Sequence, residues 1–483
     1  MVPKPFSNKT KILFCASEAI PFIKVGGLGD VAGSLPKALN DKNLDVRVVL
    51  PLYSQISEKM RLKMTFKCNF WFTLGWRNVY CGIFQAEIDG VIYYLIDNEQ
   101  YFKRGATYGQ YDDGERFAFF SKAVLEIIPY IDFYPEIIHA NDWHSAMVPV
   151  YLDTLFRNNP GYQSIKTVFS IHNIEFQGKY DPFILGDVFG LDERHINLLF
   201  DGDCINLMKG AIECSNVVTT VSKTYADEIL TPYFGWGLET ILSARSYKLK
   251  GIVNGIDEKL NSPKTDKNIK TKYTLKSISK KAENKKDLQE FLKLNTDNNA
   301  IVIGMVTRLT PQKGIDLFYQ AMEEILKDNI QLIILGTGYR HFEDYLKTIE
   351  SQHQDKFRAY IGFSSEMASK IYAGADLFLM PSKAEPCGLS QLIAMNYGTI
   401  PVVHEIGGLK DTVIPYNPEE KTGNGITFKS YNSFDMADAI KRACEIMNNE
   451  EDKKQIIKNA MSCDFSWNKS AEQYIEIYKD LIK

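Results

Sequence analysis

Short apolar runs recur along this chain, each closed by a turn signal and followed by a longer stretch with helical patterning. A first series comprises Lys11-Ile-Leu-Phe-Cys-Ala, Val46-Arg-Val-Val-Leu, Glu136-Ile-Ile-His, Thr167-Val-Phe-Ser-Ile and Asn216-Val-Val-Thr-Thr-Val. The pattern restarts with Ile301-Val-Ile-Gly-Met, Gln331-Leu-Ile-Ile-Leu, Ala375-Asp-Leu-Phe-Leu-Met and Ile400-Pro-Val-Val. Near-continuous β-branched runs signal parallel strands buried on both faces, with helices as crossovers. The pattern predicts two doubly wound, Rossmann-like α/β domains in series. Two such domains facing each other would leave one cleft at the carboxyl ends of their strands.

The boundary is expected at Asn254-Gly-Ile-Asp257, where a turn dipeptide closes the first series and a lysine-rich stretch without strand patterning begins. The expected division is a first domain over residues 1–256, a second over 257–464, and a C-terminal helix over 465–483 returning to the first. Nine lysines lie between Lys264 and Lys286, and such a charge run reads as a solvated linker or helix face.

Composition narrows the function. At 483 residues the chain exceeds what one core usually holds. Its 45% hydrophobic and 24% charged residues are ordinary for a globular protein and exclude collagenous, coiled-coil and disordered readings. A net charge of -4 argues against nucleic acid as a partner, because that interaction needs a basic surface. Any bound anion must therefore meet a local basic pocket. Lys4, Lys9, Lys11 and Lys24 interrupt the first 24 residues, and no stretch reaches the ~18 apolar residues of a membrane span. The eight cysteines show no C-x-x-C pair, which suits reduced thiols in the cytoplasm.

Four groups of residues carry candidate chemistry, the fourth made of two segments. Lys24-Val-Gly-Gly-Leu-Gly-Asp30 follows the first strand and opens into a helical run, so its amides and Lys24 could meet a phosphate. Its glycines do not form G-x-G-x-x-G, and the second strand ends Leu50-Pro51-Leu52 where a ribose-binding acid would be needed, which demotes a nicotinamide dehydrogenase. Arg308-Leu-Thr-Pro-Gln-Lys313 sets two cations just past a strand, as a diphosphate requires. Glu385-Pro-Cys-Gly-Leu-Ser390 joins a carboxylate for sugar hydroxyls to a glycine turn. His139-Ala-Asn-Asp-Trp-His144 and Ser170-Ile-His-Asn-Ile-Glu175 put polar side chains at two strand ends. Asp201-Gly-Asp203 has the form of a metal-binding pair but reads as a helix N-terminal cap.

Together these segments resemble the bacterial glycogen synthase and plant starch synthase family of retaining glucosyltransferases. K-V-G-G-L-G-D-V, D-D-G-E-R-F-A-F-F-S, H-A-N-D-W-H, I-H-N-I-E-F-Q-G, T-T-V-S-K-T-Y-A, V-N-G-I-D, T-R-L-T-P-Q-K-G, P-S-K-A-E-P-C-G-L-S-Q-L, G-G-L-K-D-T-V and F-S-W run in the family's order from residue 24 to 467. The resemblance implies a GT-B fold, ADP-glucose as donor, an α-1,4-glucan (glycogen or a starch-like polymer) as acceptor, and no metal or other cofactor. It assigns catalytic roles to Lys24, His172, Arg308, Lys313 and Glu385. Donor contacts fall to Gly26, Gly27, Asp30, Asp142, Asn254, Cys387, Gly388, Leu389 and Ser390, and to Phe363, where the family often stacks a Tyr on the adenine.

Two departures stand out. Related transferases carry a second glutamate eight residues after the first, where this chain has Ile393, and the Trp often found before Pro263 is replaced by Ser262. The competing readings are a transferase using UDP-glucose or another acceptor, and a catalytically silent glucan-binding protein. Intact Lys24, Arg308, Lys313 and Glu385 argue against the silent protein.

Overall fold

The computed structural model describes residues 9–483; Lys4, part of the reading of the N-terminus, lies outside them. The chain divides into two compact units, one running to Gly255 and rejoined by Trp467–Lys483, the other Ile256–Ser466.

In the first unit a nine-stranded sheet is built from β1 (Lys11–Cys15), β2 (Asp45–Pro51), β3 (Thr65–Leu74), β4 (Arg77–Ile88), β5 (Val91–Asp97), β6 (Ile137–Asn141) and β7 (Lys166–Ile171). After a small sheet of β8 (Lys179–Tyr180), β9 (Phe200–Asp201) and β10 (Cys204–Asn206), β11 (Val217–Thr220) and β12 (Leu249–Gly251) complete it. The order is β12-β11-β7-β6-β1-β2-β5-β4-β3. Pairing is parallel from β12 to β5. It turns antiparallel at β4 and β3. That edge went unread because its alternation of exposed and buried residues, clear from Asn69 to Leu74 in β3, is an antiparallel signature unlike the fully buried runs beside it.

The Trp467–Ile482 helix packs into this unit. Ser470 donates to the Val253 carbonyl at 2.7 Å, and Tyr478 Oη meets His139 Nδ1 at 2.7 Å. His139, wholly buried, also meets Ser170 at 2.6 Å through Nε2, so it is a structural histidine.

The second unit holds a parallel six-stranded sheet of β13 (Ile301–Leu309), β14 (Ile330–Gly338), β15 (Phe357–Ile361), β16 (Leu377–Met380), β17 (Ile400–His404) and β18 (Ile426–Phe428), in the order β15-β14-β13-β16-β17-β18. This is the doubly wound 3-2-1-4-5-6 arrangement, with the strand order reversing between β13 and β16.

Two local readings are corrected. Asp201-Gly-Asp203 does not cap a helix: Gly202, at φ 68°, turns β9 back onto β10. The cap of the Leu207–Cys214 helix is Asn206, which also donates to Asp201 Oδ2 at 2.9 Å. The lysine run is also not uniformly solvated. Lys281 is buried and donates to the carbonyl of Ala373 at 2.9 Å and to Thr399 at 2.6 Å. Lys285 pairs with Asp376 at 2.7 Å. These two anchor the Lys281–Phe291 helix to the second unit.

Candidate active site

In the first unit the strand order reverses between β1 and β6, and polar residues gather where both strands end. Beyond β1, Glu18 turns inward and is only 4% exposed. Its Oε2 accepts from the Gly26 amide at 2.9 Å and from the Val25 amide. Burial raises this carboxyl above its ordinary range, against the pull of the two amides. Lys24 points outward to Asp30, at 2.7 Å. The loop enters the Gly27–Asn40 helix, whose N-terminus has no side-chain cap.

The glycines here do different work. A Cβ on Gly33 would lie 2.7 Å from the Ile20 carbonyl, so glycine is needed for packing, whereas a Cβ on Gly27 would meet nothing within 4 Å. The Gly27 side of the loop is open.

Beyond β6, Asp142 holds φ at 55°, unusual outside glycine. Its Oδ1 accepts from the His172 amide at 2.8 Å. Burial pushes its carboxyl up to about 7, opposed by the His172 and Asn173 amides. His172 Nε2 lies 2.9 Å from Asn141 Oδ1. Asn141 spends its amide hydrogens on the carbonyls of Cys15 and His139, so its oxygen accepts and His172 carries its proton on Nε2. Burial lowers this imidazole to about 4, leaving it neutral with an accepting Nδ1. Asn254, past β12, is buried with its Oδ1 unpartnered among the described residues.

In the second unit Arg308 is the penultimate residue of the strand β13, exposed and without an ion pair among the described residues. The chain then turns through Pro311–Lys313 to Gly314, at φ 75°. A Cβ there would lie 2.1 Å from the Pro381 carbonyl, so glycine lets the loops after β13 and β16 touch. That approach, with Lys383 N donating to the Gln312 carbonyl at 2.9 Å, brings Lys313 against Glu385. Lys313 Nζ lies 2.5 Å from Glu385 Oε2, and Ser382 Oγ donates to the same oxygen at 2.9 Å.

The turn beyond Glu385 is held from inside. Gly388 has φ 72°. Gln391, fully buried, donates to the carbonyls of Cys387 and Gly388 at 3.0 Å each. Cys387 is buried; Leu389 and Ser390 are half-buried, and Ser390 opens the Ser390–Asn396 helix. Phe363 stands after β15 with 89% of its surface exposed. Ile393 packs on the hydrophobic core. Among the described residues no group of three His, Cys, Asp or Glu could hold a metal ion, and no helix is long and apolar enough to cross a membrane.

The structure thus brings Lys24 to Asp30, Asp142 to His172 and Lys313 to Glu385, while Arg308, Asn254 and Phe363 make none of these pairings. Sequence reasoning passed over Glu18, Ser382 and Gln391. An acid directly after the apolar β1 run was a usable signal for Glu18; the other two look like ordinary helix and loop residues.

Two doubly wound units, each with a lysine and a carboxylate at its strand-order reversal, fit a glycosyltransferase of GT-B type. Residues 11–244 match the starch synthase catalytic domain family, and residues 285–462 match glycosyl transferases group 1. The chain is 50% identical to a glycogen synthase of Clostridium botulinum (strain Alaska E43 / Type E3), over 98% of this chain and 99% of that one. It is 48% identical to a glycogen synthase of Bacillus cereus (strain B4264), over 98% and 100%. The catalytic domain of starch synthase IV from Arabidopsis thaliana, solved bound to ADP and acarbose, superposes with a TM-score of 0.91 at 34% identity, covering 98% of this chain and 99% of that one. The chain belongs to the glycogen synthase and starch synthase family.

Proposed function

We propose that this protein transfers glucose, with retention, from ADP-glucose to the non-reducing end of an α-1,4-glucan. The observation that carries the reading is the Lys313–Glu385 pair at the strand-order reversal of the second unit, with Arg308 exposed near the end of β13, in a chain half-identical to glycogen synthases. Transfer breaks the bond from glucosyl C1 to the phosphate oxygen and forms one from C1 to the acceptor 4-oxygen. The electron pair leaves on ADP, and the acceptor proton passes to the departing phosphate oxygen.

Arg308 and Lys313 supply the positive charge for that leaving group, assisted by Lys24 as a contact that binds the incoming donor; in other transferases a divalent cation can fill the leaving-group role. Such donors act most strongly where water is excluded. Glu385 binds and orients glucose, and His172, neutral with a free lone pair, can only accept from a sugar hydroxyl. Asp142, Asn254 and the Glu385 to Ser390 turn complete the donor contacts, with Phe363 against the adenine. None of the eight cysteines is in a disulfide, which suits a cytoplasmic site of action.

The test is turnover with glycogen as acceptor, offering ADP-glucose and UDP-glucose in turn, with and without a chelator. Transfer from ADP-glucose that survives chelation is expected. Preference for UDP-glucose would overturn the donor assignment, and loss of activity on chelation would overturn the metal-independent one.

A further inference from the structure

The first unit's glycine-rich loop does not stand free before a ligand arrives. Two of its consecutive amides, Val25 and Gly26, already converge on one oxygen of the buried Glu18. Glu18 makes no ion pair among the described residues, because the neighbouring ammonium of Lys24 is engaged by Asp30. A carboxylate buried without a cation stays charged only if donors are fixed around it. Carboxylate and loop therefore hold each other.

The small residues of the motif fit this contact. A Cβ on Gly29 would lie 3.1 Å from Glu18 Oε2, and one on Gly26 would lie 3.4 Å from Oε1. The contact at Gly26 is ordinary, whereas a side chain at Gly29 would crowd both Glu18 and, at 3.2 Å, the Lys24 stem. The Ile20 amide donates to the Gly29 carbonyl at 3.0 Å, which closes the segment between Glu18 and the helix. At 4% exposure, and with Oε2 accepting twice, Glu18 is poorly placed to touch a substrate itself.

Resting on the ADP-glucose reading, we propose that Glu18 is a positioning residue for the donor: its side-chain oxygen sets the Val25–Gly26 backbone so that the open side of Gly27 and the ammonium of Lys24 face the diphosphate. It acts through an acceptor atom at one place, and its charge is secondary.

Steady-state kinetics of E18A, E18D and E18Q, varying ADP-glucose and glycogen separately, test this. E18A should raise the ADP-glucose KM by on the order of tenfold, about 1.4 kcal/mol, with the glycogen KM within about twofold. E18Q keeps an oxygen at the same reach and should return the donor KM to within about threefold of wild type; E18D, one methylene short, should not. An unchanged donor KM in E18A, a parallel rise in both KM values, or E18Q more impaired than E18D would overturn the inference. If E18A does not fold, the E18Q and E18D pair decides alone. Wild-type protein inactive with ADP-glucose would instead refute the donor reading, so the two failures are distinguishable.

Discussion

Each unit carries a lysine paired with a carboxylate beside a strand-order reversal, and the two pairs are built differently. In the first unit Lys24 and Asp30 are 47% and 27% exposed; in the second Lys313 and Glu385 are 15% and 9% exposed. A pair with one exposed partner is worth roughly 0–1 kcal/mol, so on the proposed function a phosphate would take Lys24 from the half-buried Asp30 at little cost. A buried pair is held by its surroundings, and removing one partner strands the other. Lys313 is thus preset, with Ser382 and the Gly314 contact fixing its partner, whereas on the proposed function Lys24 is recruited. In the proposed reaction the preset cation is assigned to the developing charge and the mobile one to the entering substrate.

That contrast can be broken in a definite order. The largest effect is expected from Lys313→Ala and Arg308→Ala: kcat should fall by ~10²–10³ with circular dichroism unchanged, and normal turnover in folded Lys313→Ala would remove the leaving-group role. Next comes Glu385→Gln, which keeps the shape and removes the charge. A fall in kcat of at least about tenfold is expected, and wild-type activity would show that the sugar does not need this carboxylate. Smaller still is Lys24→Ala, for which the donor KM should rise about three- to tenfold with kcat and melting temperature nearly unchanged. A loss equal to that of Lys313→Ala would erase the distinction between preset and recruited cations.

A last prediction concerns stability alone. Burial holds the Lys281 ammonium down to about 7 from 10.5, against the pull of Asp376. Between those values the unfolded chain binds more protons at this site than the folded one, so its contribution makes stability rise with pH from about 7 and fade as pH falls. Lys281→Met should flatten that rise in thermal unfolding measured from pH 7 to 9. An unchanged slope would show that the lysine titrates normally.

Much of the architecture was legible because parallel strands buried on both faces must be apolar almost throughout: the Ile301, Gln331 and Ile400 runs correspond to β13, β14 and β17. The β3 and β4 hairpin was not: part of β3 alternates exposed and buried residues and β4 is only patchily buried, so neither reads as a continuous apolar run. Motif residues such as Lys24, Arg308 and Glu385 could be named as candidates because their types and order along the chain match the family's motifs.

By itself, then, the sequence determined where strands and turns fall and which residues are chemically able to serve, since both depend on side chains close together along the chain. Only the tertiary structure decided which of them meet. Lys313 and Glu385 lie 72 residues apart and touch because two loops close over Gly314. Glu18 became a holder of amides, and His172 a neutral acceptor, because burial and distant partners set their charge and proton, and neither is written in any local pattern.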